Sequence, residues 1–163
     1  MTQFARVWID LGDLESAERC RSRAAESAKR VQDLAGSSRW YACRAYLHIA
    51  HGRLHEAAES ARKDLELRIE IGDPLGIAEA AECLALLAVR SETGDPAWLL
   101  AAAQRVRTVH RLPAAWASRP IQDTVRAHLR DRNQVLPHFE MDSVTPQSLL
   151  QHARRIVAEA PGD

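Results

Sequence analysis

The chain has 163 residues, enough for one domain with a hydrophobic core of its own. Its 22 basic and 22 acidic residues cancel to a formal net charge of zero, so no global field favours nucleic acid or an anionic membrane, and direct nucleic-acid binding is not expected. Hydrophobic residues make up 46 %, yet no run approaches the roughly 18 consecutive apolar residues of a membrane span, and Met1 to Arg6 has no secretory pattern, so a cytoplasmic chain is expected.

Helix formers dominate, aromatic residues are only 5 %, and runs of β-branched residues are lacking, so no strand is predicted. In chain order the helices are expected at about 2–11, 14–34, 38–51, 54–71, 75–91, 96–110, 118–132 and 146–159. The punctuation between them is Gly12-Asp13, Gly36-Ser37-Ser38, Gly52, Gly72-Asp73-Pro74, Gly94-Asp95-Pro96, Pro113 and Thr145-Pro146. Within the helices apolar residues return every three or four positions, as in Val7, Leu11 and Leu14, or Leu65 and Ile69, so each is expected to bury one face. Thr145 as N-cap with Pro146 at the first helical position opens the last helix, whose Leu149, Leu150 and Ile156 are expected to cap the stack.

Self-comparison finds a repeat. Gly12-Asp13-Leu14-Glu15-Ser16-Ala17 matches Gly52-Arg53-Leu54-His55-Glu56-Ala57, and a weaker copy starts at Gly94, with Leu99 in the place of the alanine. The intervals are 40 and 42 residues. The pattern Gly-x-Leu-x-x-Ala has a physical reading: glycine ends one helix without steric cost, leucine fills the corner, and alanine lets two helices approach closely. The expected fold is all-α, a right-handed α-solenoid of about three helical hairpins (1–36, 37–74 and 75–112) followed by C-terminal helices at 117–160.

Gly12, Leu14, Ala17 and Ala24 resemble the second half of a tetratricopeptide repeat. The segment Gly72-Asp73-Pro74-Leu75-Gly76-Ile77-Ala78 resembles a turn in the C-terminal repeat regions of large actinobacterial transcription regulators, which join an ATP-binding module, a helical array and often a LuxR-type DNA-binding domain. The likeness runs on through Asp95 to Ala103, Leu112-Pro113 and Val125 to Leu129, and covers nearly the whole chain. It departs in lacking a nucleotide-binding motif and a helix-turn-helix, so neither ATP hydrolysis nor DNA binding carries over. What it implies is a regulatory interaction module that binds a partner protein or peptide in a concave groove, with a small-ligand sensor as the alternative. In such arrays the first helix of each hairpin lines the groove. The register assigns Arg6, Ile9 and Asp10, then Arg39, Ala42, Tyr46 and Ile49, then Ser91 and Glu92 to that surface. Phe4, Val7 and Trp8 make the first turn apolar, which suggests self-association of the N-terminal face, as in an isologous homodimer.

The remaining candidates read as structure. His48, His51 and His55 have helical spacing for a metal, but Gly52 is expected to split them between two helices, so no metal or other cofactor is expected. Cys20, Cys43 and Cys83 are odd in number and dispersed, which argues for reduced thiols, and Cys43 beside Arg44 reads as core filling. Glu79 with Glu82, and Glu66 with Glu70, read as solvated faces rather than acid and base pairs. Trp8, Trp40, Trp98 and Trp116 read as packing residues. With no nucleophile in a catalytic context and no glycine-rich phosphate loop, an enzyme is not expected.

Overall fold

The computed structural model describes residues 33–113, 118–139 and 143–161, together with Asp13, Glu15, Ser16, Glu18, Arg19, Ser22 and Arg23. Among the described residues six complete helices are present and no strand: α1 (Leu34–Ala50), α2 (Leu54–Glu70), α3 (Pro74–Ser91), α4 (Pro96–Val109), α5 (Arg119–Asp131) and α6 (Pro146–Glu159). None is long and apolar enough to cross a membrane.

The helix starts follow from their caps. Asp73 is extended and its Oδ1 accepts from the Gly76 amide at 3.0 Å, while Asp95 does the same for Trp98 at 2.9 Å, and each is followed by proline at the first helical position. Thr145 and Ser148 form a reciprocal capping box at α6. The turns at Gly52, Gly72 and Gly94 take φ of 76°, 65° and 69°, the left-handed region where a side chain is strained. One expected turn is absent. Gly36-Ser37-Ser38 lies inside the first two turns of α1, which starts at Leu34 rather than 38, because Asp33 is extended and its carbonyl takes the Ser37 amide at 2.9 Å. Gly36 is there for packing: a Cβ would meet Asp33 Oδ2 at 2.5 Å.

Helices α1 and α2 pack together along their length, as do α3 and α4, and α2 also packs on α3. The interfaces are rich in alanine (Ala57, Ala58 and Ala61 on α2; Ala80, Ala81 and Ala85 on α3; Ala102 and Ala103 on α4), all essentially buried, which lets the axes approach closely. Leu47, Leu65, Leu84, Leu87, Leu99 and Leu100 fill the remaining volume. Shifting α1 by 40 residues, the interval from Asp33 to Asp73, lays Gly36 on Gly76, Cys43 on Cys83, Ala45 on Ala85 and Leu47 on Leu87. Both cysteines are buried thiols.

Helix α5 lies on α3 and α4 through Ile121, Val125 and Leu129, four residues apart and buried. Helix α6 packs chiefly on α2, with smaller contacts on α3 and α4, and buries Leu149, Ala153 and Ile156. It therefore folds back across the earlier pair instead of covering only the later end of the stack, where the sequence reading set it as a cap. Ile156 fits beneath Gly94, where an added Cβ would meet its Cγ1 at 2.9 Å, and Trp98 stacks on His152 with ring centres 3.9 Å apart.

Candidate functional site beside α1

Three polar constellations stand out, and the arithmetic of donors and acceptors separates them. The first joins α3, α4 and α5. Glu82 is wholly buried, and Arg107 grips it with Nε on Oε1 and Nη2 on Oε2, each at 3.1 Å. Gln122 adds a bond to Oε1 at 2.9 Å, and Arg107 Nη1 also donates to the Pro113 carbonyl at 2.9 Å. Glu82 is thus no solvated carboxylate; its partner lies 25 residues away, beyond the reach of helix-face spacing. Glu66 does sit at the surface, paired to Arg62 and Lys63.

The second constellation joins α2 to the start of α3. Arg68 donates through Nε to buried Asp64 at 3.1 Å and through Nη1 to Asp73, the cap of α3. Burial pushes the Asp64 carboxyl up to about 7 despite the pull of Arg68. Every charge here has a partner, so the group reads as a clasp between two helices.

The third is unbalanced. Trp40, Arg44 and His48 stand four residues apart on one face of α1, and with Leu47, Arg53 and Glu18 they line a cavity of about 260 Å³. The Arg44 guanidinium lies over the Trp40 ring, 5.3 Å from its centre, and its Nε donates to His48 Nε2 at 3.1 Å. His48 is only 8 % exposed; burial, then Arg53 and Arg44, lower its pKa and hold it neutral. Since Nε2 accepts, the imidazole proton is on Nδ1, and that N–H has no protein partner. Nor do Trp40 Nε1 and Arg53 Nε, both shielded from solvent. Most buried polar groups in proteins are satisfied, so three such donors on neighbouring residues stand out, although none of the three atoms is open to solvent or to the cavity.

The other α1 residues expected at a partner surface lie on roughly the opposite side of the helix, given 3.6 residues per turn. Arg39 is exposed and 4.0 Å from Asp33, Ala42 is buried, and Tyr46 and Ile49 are half-buried against the core. Ser91 is occupied in ending α3, with its hydroxyl on the Leu87 carbonyl at 2.8 Å, and Glu92 turns the chain at φ 55° and faces Arg132 at 3.5 Å. Arg6, Ile9, Asp10, Phe4, Val7 and Trp8 lie outside the described residues. His48 is on α1, His51 in the turn and His55 on α2, and among the described residues no group of three or more side chains is arranged to hold a metal.

Sequence reasoning took Trp40 and His48 as packing residues and Arg44 only as a neighbour of Cys43. The missed signal is the four-residue ladder compared with α3 under the same shift: the positions 40 later are Ala80, Leu84 and Ala88, all buried and apolar. No known protein family, curated protein or solved structure matches the chain.

Proposed function

We propose that this chain is a protein-interaction domain of regulatory type, an α-solenoid related to the tetratricopeptide arrays of transcription regulators, that binds an extended peptide or helix of a partner protein along α1. The observation that carries the reading is the α1 surface itself, where Arg39 is exposed and Tyr46 and Ile49, packed against the core, are only half-buried. Arginine and tyrosine with an aliphatic neighbour is the composition of a binding surface centre. The other polar clusters are internally satisfied and serve the scaffold. Selecting peptides from a random library on the folded domain tests this. Peptides that bind the parent should lose at least tenfold in affinity on a variant carrying Arg39→Glu, Tyr46→Ala and Ile49→Asp; peptides indifferent to all three changes contradict the assignment of the surface.

The second reading, a small-ligand sensor, has the cavity in its favour. Its volume of about 260 Å³ lies below the roughly 300 Å³ at which pockets for whole small molecules begin, which suits one functional group of a larger partner better.

A further inference from the structure

Helices α2 and α5 each carry a charged stripe, and the two stripes are complementary. On α2, Lys63, Glu66 and Glu70 follow Glu59 at offsets of 4, 7 and 11 residues. On α5, Asp123, Arg126 and Arg130 follow Arg119 at the same offsets, with every sign reversed. At about 100° per residue these offsets fall within about 60° of one another, and at about 1.5 Å per residue each stripe runs for roughly 16 Å. Glu59, Lys63 and Glu70 are exposed, Glu66 is half-buried, and all four residues of the α5 stripe are exposed. Each stripe is turned away from the buried side of its helix, marked by Ala57, Ala61 and Leu65 on α2 and by Ile121, Val125 and Leu129 on α5.

Neither stripe suits the helix that bears it. Arg126 and Arg130 are like charges four residues apart, and so are Glu66 and Glu70, a spacing at which like charges repel. Arg119 opens α5 and Glu70 closes α2, each at the end where the helix dipole disfavours its charge. The fold does not answer these charges either. Among the described residues Arg119, Arg126, Arg130, Glu59 and Glu70 enter no ion pair, and Glu66 meets only Arg62 and Lys63 of its own helix. Helix α2 packs on α1, α3 and α6, whereas α5 packs on α3 and α4, so one chain carries both halves of a contact and holds them apart.

We propose that this chain self-associates, with α2 of one copy laid side by side and parallel to α5 of another. In that register each residue meets the one at the same offset: Glu59 with Arg119, Lys63 with Asp123, Glu66 with Arg126 and Glu70 with Arg130 of the partner. All four pairs attract. Laid antiparallel, Lys63 would face Arg126 and Glu66 would face Asp123, so the order of charges also sets the direction. A single exposed ion pair contributes little, but four along one line act as a network, and a two-fold axis would engage both faces of each chain at once. The surface shares no residue with Arg39, Tyr46 and Ile49, so it goes beyond the peptide-binding reading of α1 and does not depend on it.

Sedimentation velocity of the full chain at increasing protein concentration tests this. The average mass should rise with concentration at about 20 mM salt, and the rise should vanish near about 0.5 M, where screening is nearly complete beyond about 4 Å. Arg126→Glu combined with Arg130→Glu should weaken association at least roughly tenfold, and so should Glu66→Arg combined with Glu70→Arg. Mixed in equal amounts, the two reversed variants should associate again to within about threefold of the parent, because each then offers the face that matches the other. Helical circular dichroism and melting temperature check that the variants fold. Should a reversed pair fail to fold, Arg126→Gln with Arg130→Gln and Glu66→Gln with Glu70→Gln replace them; each should weaken association, and all four changes together hardly more than either pair. A chain that stays monomeric at low salt, folded variants that associate like the parent, a mixture of reversed variants that does not recover, or neutral pairs whose effects simply add overturns the inference.

Discussion

The α3–α5 junction and the cavity beside α1 are built from similar parts, arginine side chains reaching into a helical scaffold, and come to opposite ends. At the junction Arg107 meets Glu82 with two parallel bonds, and Gln122 and the Pro113 carbonyl take up further capacity. Beside α1 donors exceed acceptors. Under the 40-residue shift, the Glu82 position is Ala42, so the earlier pair dispenses with the carboxylate and places its polar residues on another face. Burial is common to both groups; the balance of donors and acceptors is what separates them.

Breaking the matched side should have the largest effect. Glu82→Ala or Arg107→Ala leaves a buried charge alone and should cost about 3–5 kcal/mol in urea unfolding, whereas replacing both residues with apolar ones of similar volume should recover most of that. A loss below 1 kcal/mol for either single change would show that the network contributes little. Next, Gly76→Ala should cost about 1–3 kcal/mol, since its Cβ would fall 2.4 Å from Arg68 Cδ and 2.5 Å from Asp73 Oδ2. Gly52→Ala, with nothing within 4 Å but φ at 76°, should cost only about 1–2 kcal/mol, from backbone strain alone.

A third comparison is by pH. Asp64 ionises at about 7 in the folded chain and near 4 unfolded, so between those values the folded state holds the extra proton. Its contribution is therefore complete below about pH 4 and is lost as pH rises to 7. The lowered pKa values of His48 and His152 work the other way, with stability lost as pH falls below about 6.5. The difference between the parent and Asp64→Asn isolates the first effect: the parent's melting temperature should fall relative to the variant's from pH 4.5 to 7. A parallel pair of curves would remove Asp64 as its source. The smallest effect belongs to the unmatched side. Arg53→Gln should change stability by no more than about 0.5 kcal/mol, because its Nε has no partner to lose. A large loss there would mean that the donors are already satisfied within the fold.

The helices were legible in the sequence because caps, prolines and apolar spacing are local signals; α2 through α6 begin and end within one or two residues of their expected places. Gly36 misled because glycine marks a turn and a close packing contact alike, and only the Asp33 carboxylate touching it tells the two apart. Glu82 misled for a related reason. Periodicity assigns a face to a residue, but its partners on α4 and α5 become visible only once those helices are docked. The cavity was legible in principle, as Trp40, Arg44 and His48 where the positions 40 later hold Ala80, Leu84 and Ala88.

The backward fold of α6 has a consequence for how the chain acquires its structure. Helix α2 is synthesised before α6, and part of its apolar surface is covered by Leu149, Ala153 and Ile156, which follow only after three further helices. Until then the first pair holds an open flank, and closing it demands a long loop rather than a neighbour. Assembly should consequently be less like adding beads to a string than like fastening a strap, with α1 and α2 reaching full protection from hydrogen exchange only after α6 has docked.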